Sequence, residues 1–326
     1  MLPGQLSPNT ANDFGMAVYL AENDIDVWGI DQAWTMVPAE VTDHSFMEDW
    51  GIDRQVRDLK IAMAVARVLR YRTGNGVGKM LLAGYSSGVA TGFAMVNDEA
   101  VRPSFTRHVK GLIPIDLSLN SEDEGVIATV KGDHDRLTLM MESGSFGEFI
   151  PFRLVGNLAR TNPGGDSPVI PGFSNLQTAL FFGAGPFVQG STFHYLAGVW
   201  AEDFPSGLKY VTLDQWFDFL EAGVPWEAAR FISEYNAWMS GLMDLPWDDN
   251  FGKVTVPILN VNPAGGFGKL NESSTKLLGS KDITQLNLQL ESDEDVLYDF
   301  AHIDIFIANN AEEVAWKPIM EWIKVH

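Results

Sequence analysis

The stretch Lys79-Met80-Leu81-Leu82-Ala83-Gly84-Tyr85-Ser86-Ser87-Gly88 decides the fold of this chain. Its apolar first half predicts a short buried strand, and a helix is predicted to follow over about residues 87–97. Between them, residues 84–88 have the pattern Gly-x-Ser-x-Gly, in which small residues permit a tight turn. Such a turn lifts the serine hydroxyl above the sheet edge, at the positive end of the following helix. Ser86 is therefore the candidate nucleophile, and Ser87 is the alternative.

Strands and helices alternate along the chain on either side of residues 120–250. The clearest predicted helix covers about residues 52–72, and its Ile61, Val65, Val68 and Leu69 share one stripe. Alternation of this kind predicts an α/β fold with a mostly parallel sheet flanked by helices. The other predicted elements are a helix at 17–21, strands at 25–31, 109–116, 256–261 and 284–290, and a last helix at about 311–324.

Residues 120–250 differ from the rest of the sequence, because strand-like runs give way to glycine, proline and many aromatic residues. This composition predicts a mainly helical cap inserted over one end of the sheet. The predicted domains are thus a core, residues 1–119 and 251–326, and the cap, residues 120–250. Most of the aromatic residues are expected to form the cap's own core. A few are expected to face the sheet, where a cap produces an apolar pocket.

A serine hydroxyl is a poor nucleophile until a base removes its proton, and histidine is suited to that task near neutral pH. His302 lies after the last predicted strand and before the last predicted helix. In a fold of this connectivity, that loop lies at the same sheet edge as Ser86, so His302 is the candidate base. The other histidines are interpreted as surface, structural or terminal residues: His44, His108, His134, His194 and His326.

These features resemble the α/β-hydrolase superfamily. The resemblance rests on the Gly84–Gly88 turn, the late His302-Ile303-Asp304, the Asp-Val-Trp-Gly-Ile-Asp stretch at 26–31 and the order of strands. It covers about residues 1–120 and 250–326. The superfamily implies acyl-enzyme chemistry, in which Ser86 attacks a carbonyl, His302 moves the proton and an acid orients the imidazole.

The sequence leaves open which residue is the acid that orients His302. Superfamily members usually carry it after the penultimate strand, but that segment here is Asn262-Pro263-Ala264-Gly265-Gly266-Phe267, without a carboxylate. A known variant carries it after the strand that follows the serine turn, where Asp116 stands in this chain. Asp116 is therefore the predicted acid, although an aspartate there could simply cap the turn. Glu272 and Asp282 are the alternatives.

The resemblance also implies two backbone N–H groups that stabilise an oxyanion. One is the N–H of Ser87. The other would belong to Gln5, because residues 1–6 resemble the end of the superfamily's third strand, with Pro3-Gly4 where relatives often have His-Gly. On this interpretation, the first two strands and most of the third would precede Met1.

Composition excludes several classes of function. The chain has 326 residues, about two domains' worth, and 46% of them are hydrophobic, which excludes a disordered chain. A net charge of −21 disfavours nucleic acid and anionic lipid as partners. No apolar run is long enough for a membrane span, and the first residues do not resemble a signal peptide. With no cysteine there is neither a disulfide nor a cysteine metal site.

The sequence therefore predicts a serine hydrolase, without metal or cofactor, that cleaves a carboxylic ester or a related acyl bond. The aromatic cap favours a medium-sized, largely apolar small molecule as the substrate. Two alternatives stay open: an acyltransferase with the same serine turn, and a catalytically silent relative that binds a small apolar ligand. Neither oligomeric state nor cellular compartment is indicated by the sequence.

Overall fold

The computed structural model describes residues 14–186 and 193–326. The strands are β1 (Met80–Tyr85), β2 (Val109–Ile115), β3 (Gly147–Phe149), β4 (Gly198–Ala201), β5 (Phe204–Leu208), β6 (Trp226–Ala228), β7 (Ile258–Pro263) and β8 (Ile283–Leu288). The helices are α1 (Met16–Glu22), α2 (Ile52–Arg72), α3 (Gly88–Ala100), α4 (Glu124–Glu142), α5 (Phe152–Thr161), α6 (Asn175–Ala184), α7 (Leu213–Glu221), α8 (Ala229–Met239), α9 (Asn271–Lys276), α10 (Asp304–Ile307) and α11 (Lys317–Val325). The last helix is preceded by a π-helical turn, Glu312–Trp316.

Four strands form the central sheet in the order β1-β2-β7-β8, and each pair is parallel. Helices α2 and α3 precede and follow β1 in sequence, and α11 ends the chain. The α/β fold with a parallel sheet flanked by helices is therefore confirmed. Because the strands are parallel, their carboxyl ends lie at one edge of the sheet, and the segments that follow them can meet there.

The sheet has a packed layer on each face. Leu112 of β2 belongs to a buried cluster with Phe93 of α3, whereas its neighbours Ile113 and Ile115 belong to a second cluster with Trp316. This alternation follows from the two-residue period of a strand. Both faces of β2 are covered, so the end of this strand is a rigid platform for the residue that follows it.

The predicted strand at 25–31 is wrong. Residues 25–32 are irregular, and Val27, Trp28 and Ile30 are each about 40% exposed. An alternating apolar pattern becomes a strand only when a neighbouring strand accepts its backbone hydrogen bonds. Within residues 14–186 and 193–326, β1 is an edge strand of the sheet, and residues 25–31 do not pair with it.

Helix α2 has the predicted bounds but buries a different face from its apolar stripe. Ile61, Val65, Val68 and Leu69 are 43–59% exposed. The buried residues of the helix are instead Ile52, Gln55, Val56, Leu59, Met63 and Ala66. The sequence period indicated the helix correctly, but the direction of burial is decided by where its neighbours lie.

The chain between β2 and β7 contains the helices α4 to α8 and two small antiparallel sheets, β3 with β6 and β4 with β5. Many of its aromatic side chains pack among themselves, as Trp216 and Phe219 do with 5.7 Å between ring centroids. The separation of a cap from a core stays a prediction. Within the described parts of the chain, no helix is long and apolar enough to cross a membrane.

Candidate active site

The turn at Ser86 has the geometry that its sequence predicts. Ser86 directly follows β1 and has a φ of +52°, in the left-handed region that side chains other than glycine rarely adopt. Its backbone N–H donates to Ile115 O at 2.9 Å, which ties the turn to the end of β2. A Cβ at Gly84 would lie 2.5 Å from Gly88 O, so the first glycine is required by the close return of the chain. Helix α3 begins at Gly88.

Asp116 directly follows β2 and is also left-handed, with a φ of +51°. Its side chain is 1% exposed. One carboxylate oxygen, Oδ1, accepts the Phe267 backbone N–H at 2.8 Å and the Asn271 side-chain amide at 3.1 Å. The other, Oδ2, lies 2.7 Å from His302 Nδ1. All these partners lie beyond β7 in sequence, so the carboxylate joins three segments at the sheet edge.

The His302 imidazole is 3% exposed and is held on both sides. Because a carboxylate only accepts hydrogen bonds, the 2.7 Å contact places a proton on Nδ1 and leaves Nε2 as the acceptor. The ring of Tyr85 stacks on the imidazole with 4.5 Å between centroids, and the Tyr85 hydroxyl donates to His302 O at 3.0 Å. Burial raises the pKa of Tyr85, and the charge of Asp116 adds to this effect, so the phenol keeps its proton.

Tyr85 directly precedes Ser86, and its ring stacks on the His302 imidazole. Within residues 14–186 and 193–326, neither the Ser86 hydroxyl nor His302 Nε2 makes a hydrogen bond with a protein group, and the N–H of Ser87 has no acceptor. Catalytic hydrogen bonds are often open before substrate binds. The Ser86 hydroxyl, His302 Nε2 and the Ser87 N–H are thus able to hydrogen-bond to a ligand.

The Gly265-Gly266 pair is a feature of the site that sequence reasoning missed. A Cβ at Gly266 would lie 2.0 Å from Asp116 Oδ2, and one at Gly265 would lie 2.6 Å from the His194 ring. The loop after β7 lacks the carboxylate that superfamily members usually carry there. It instead supports the carboxylate of Asp116, to which it donates the Phe267 N–H. The paired glycines after a buried strand were the available signal, because they indicate close approach of another group.

Two aromatic side chains from the predicted cap reach the imidazole. Phe193 and Tyr195 have ring centroids 4.9 Å and 5.8 Å from that of His302. Phe193 also packs against Phe267 at 4.5 Å. Two aromatic residues of this region thus contact His302 in the loop after β8, whereas a cap that covers the sheet stays a prediction. Their rings make the surroundings of His302 apolar.

The alternative acids lie elsewhere. Glu272 pairs with Lys276 at 3.4 Å, and Asp282 pairs with His326 at 3.4 Å, so neither of them is the partner of His302. Gln5, the expected second oxyanion donor, lies outside the described residues. His44 packs on Trp226, His108 contacts Arg67, His134 contacts Ser233, and His194 is fully buried beside Asp299.

No group of three metal-ligating side chains is assembled within residues 14–186 and 193–326. The nearest carboxylates to His302 along the chain are engaged by backbone groups. Asp299 accepts the N–H groups of Leu290, Glu291 and Phe300, and Asp304 accepts those of Ala197 and Ala301.

A scan of protein-family models and a search of curated proteins found no match to the chain. Solved structures are similar at a low level. A monoacylglycerol lipase of Paleococcus ferrophilus is 13% identical, with a TM-score of 0.39 over 81% of this chain and 74% of that one. A carboxyl esterase of Bacillus coagulans is 12% identical, with 0.41 over 85% and 73%, and a thermophilic esterase of Thermogutta terrifontis is 11% identical, with 0.39 over 82% and 72%.

A parallel sheet, a serine on a left-handed strand-to-helix turn, and an acid–histidine pair at the same sheet edge resemble the arrangement of the α/β-hydrolase superfamily. The resemblance seen in the sequence is thus matched by the fold.

Proposed function

We propose that this chain is a serine hydrolase that cleaves a carboxylic ester, or a related acyl bond, through an acyl intermediate on Ser86. The observation that carries the proposal is the 2.7 Å contact between Asp116 Oδ2 and His302 Nδ1, beside the left-handed Ser86. A left-handed residue that is not glycine costs about 1–3 kcal/mol, and Ser86 adopts this conformation at the end of β1. Strain of this kind next to an Asp–His pair favours a nucleophilic role.

In the first step, rotation of the Ser86 side chain brings its hydroxyl to His302 Nε2, which takes the proton as the Oγ–carbonyl bond forms. Asp116 keeps Nδ1 protonated and stabilises the imidazolium that results. The carbonyl π electrons move to oxygen. Collapse of this intermediate breaks the bond to the leaving alcohol, which receives the proton from Nε2.

The oxyanion needs donors that are in place before the reaction. The Ser87 N–H, without an acceptor in the described structure, is the first donor. It lies at the start of α3, where the helix dipole favours negative charge. The second donor in this proposal is the backbone N–H of Gln5.

Water completes the cycle. His302 Nε2 takes a proton from water as the oxygen attacks the acyl carbon, and the same nitrogen returns that proton to Ser86 Oγ when the acyl–serine bond breaks. The products are a carboxylic acid and an alcohol, and the enzyme regains its starting protonation. An acyltransferase differs only in that an alcohol or amine replaces the water.

The surroundings of the imidazole favour an apolar acyl group. Phe193, Tyr195 and Tyr85 supply the rings nearest to His302. Apolar walls with a few polar groups are typical of small-molecule sites. A medium-sized ester with an aliphatic or aromatic acyl chain is the substrate class that this lining suits.

A fluorophosphonate probe tests the proposal, because it phosphonylates only an activated serine. We expect labelling of the wild type and none of S86A. S87A is the matched control: it removes the neighbouring hydroxyl but keeps the backbone N–H, so labelling should persist. No labelling of the folded wild type would reject a serine hydrolase and favour the silent ligand-binding alternative. Labelling of S86A equal to that of the wild type would reject Ser86 as the nucleophile.

Hydrolysis of p-nitrophenyl esters of increasing acyl length then defines the substrate. Release of free acid indicates a hydrolase. An acyltransferase would also release p-nitrophenol. With an added alcohol, however, it would convert the acyl group mainly into a new ester and form little free acid.

A further inference from the structure

Asp304 is a buried carboxylate that joins the catalytic loop to the predicted cap. Its side chain has no solvent exposure. A single oxygen, Oδ2, accepts the backbone N–H of Ala301 at 2.9 Å and that of Ala197 at 2.8 Å. Ala301 directly precedes His302, whereas Ala197 lies in the predicted cap, more than 100 residues earlier. One oxygen therefore holds the two segments together.

The link is part of a short ladder between residues 194–197 and 301–304. The Ile303 N–H donates to Tyr195 O at 2.7 Å, and the His302 N–H donates to His194 O at 3.4 Å. Asp304 closes this ladder at its end. The ladder also brings Tyr195 beside the imidazole, because the same segment carries that ring. The position of His302 thus depends on the cap segment as well as on Asp116.

Helix capping does not account for this carboxylate. Asp304 is the first residue of α10, and a capping side chain would accept N–H groups two or three residues later in the helix. Asp304 accepts instead from Ala301, three residues earlier, and from the distant Ala197. Its other oxygen, Oδ1, has no hydrogen-bond partner within the described residues.

Burial with one oxygen unpartnered is unfavourable for a charge. The pKa of Asp304 is raised to about 7, mainly by burial and further by the negative charge of Asp299. The hydrogen bonds from the two backbone N–H groups lower it, but by less than burial raises it. The other titratable groups near it are Tyr85 and Tyr210, whose own pKa values its charge helps to raise. A neutral side chain of similar size would avoid this desolvation cost, so the presence of an acid here favours a functional reason.

We propose that Asp304 is a positioning residue for His302, which fixes the imidazole relative to the predicted cap by joining Ala301 to Ala197. The ionised carboxylate accepts both N–H groups strongly, and the protonated form accepts them weakly. Loss of the link leaves His302 bonded to Asp116 but weakens the attachment of its loop to residues 194–197. This inference rests on the proposed role of His302.

The variant D304N tests this role, with D299N as the matched control. Both aspartates are fully buried and accept backbone N–H groups in the same loop, but only the Asp304 carboxylate bonds to the predicted cap. The contact of Asp299 with His194 is made by its backbone carbonyl, which D299N keeps. We expect D304N to lower kcat about 10- to 100-fold, as misplacement of a catalytic group does, with little change in KM. D299N should lose stability without a matching loss of kcat. Equal losses of kcat in both variants, in proportion to their Tm, would overturn the proposal.

A low-field proton resonance from the Asp116–His302 hydrogen bond gives a readout that does not depend on turnover. It should be sharp in the wild type and in D299N, and shifted or broadened in D304N. An unchanged resonance together with unchanged kcat in D304N would overturn the positioning role. A wild type that shows the resonance but is not labelled by fluorophosphonate would reject the proposed function while leaving the Asp304 test intact.

The wild type itself provides a measurement if D304N fails to fold. In the wild type and in D299N, kcat/KM is expected to fall as the pH drops below about 7, because protonation of Asp304 weakens the link. A kcat/KM that stays constant through this range would mean that Asp304 ionisation does not affect catalysis.

Discussion

Ser86 and Asp116 follow two residues, Tyr85 and Ile115, that are partners in register on the adjacent strands β1 and β2. Both are left-handed, with φ of +52° and +51°. Two neighbouring parallel strands are thus each followed by a left-handed residue. Both of these residues carry a polar side chain at the same edge of the sheet. This relationship places the acid one strand from the nucleophile and leaves the loop after β7 to support the acid.

The carboxylate of Asp116 should be essential, and that of Glu272 should not. D116N keeps the shape of the side chain but presents an amide to Nδ1, which favours the wrong imidazole tautomer. We expect kcat to fall by about three to four orders of magnitude. E272Q, which only breaks an exposed pair with Lys276, should leave ester hydrolysis unchanged. The reverse ranking in p-nitrophenyl ester assays would assign the acid to Glu272.

A methyl group at Gly266 should disrupt the acid–histidine pair. In G266A the new Cβ would overlap Asp116 Oδ2, from which it is 2.0 Å away in the undisturbed backbone. Either the acid or the loop must move, and we expect a loss of about 100-fold in kcat. Gly78 is the control, because a Cβ there meets nothing within 4 Å. If G266A is as active as G78A, the loop after β7 does not fix Asp116.

Helix α2 should tolerate changes on its apolar stripe better than on its buried face. Met63 is 5% exposed, and M63A should lower the free energy of unfolding by about 2–5 kcal/mol. Val65 is 51% exposed, and V65A should change it by less than about 0.5 kcal/mol. Urea unfolding of the two variants measures the difference. A V65A variant as unstable as M63A would show that another surface covers the stripe in solution.

Asp304 should make stability fall as the pH rises. An aspartate in an unfolded chain has a pKa of about 3.9, whereas burial raises that of Asp304 to about 7. Between these values the folded state holds a proton that the unfolded state has released, so the free energy of unfolding decreases by up to about 1.4 kcal/mol per pH unit. Measured by urea unfolding between pH 4.5 and 8.5, the wild type should lose stability relative to D304N up to about pH 7 and stay parallel to it above. Parallel curves throughout would contradict this raised pKa.

Sequence patterns predicted the sheet well where a strand is followed by a helix. The strands β1, β2, β7 and β8 and the helix α2 lie within two residues of their predicted bounds. The failure at residues 25–31 has a physical cause, because strand pairing depends on a neighbour that the local pattern does not contain. The stripe on α2 was correctly placed on a helix, yet the packing of the domain buries another face.

The site was predictable to the extent that topology fixes it. Ser86 and His302 were found from a motif and from the position of one loop, and Asp116 from the end of a strand. The contributions of Tyr85 and Asp304 could not be predicted, because each depends on a contact with a segment far away in sequence. A lone tyrosine or aspartate carries no local mark of such a contact.

The sequence by itself determined the order of strands and helices, the serine turn and the loop that carries His302, since these depend on residue type and spacing over a few positions. Only the tertiary structure decided that Asp116, and neither Glu272 nor Asp282, is the partner of His302. The physical reason is that hydrogen bonds and burial act between atoms in contact, and the chain folds residues 186 positions apart to within 2.7 Å.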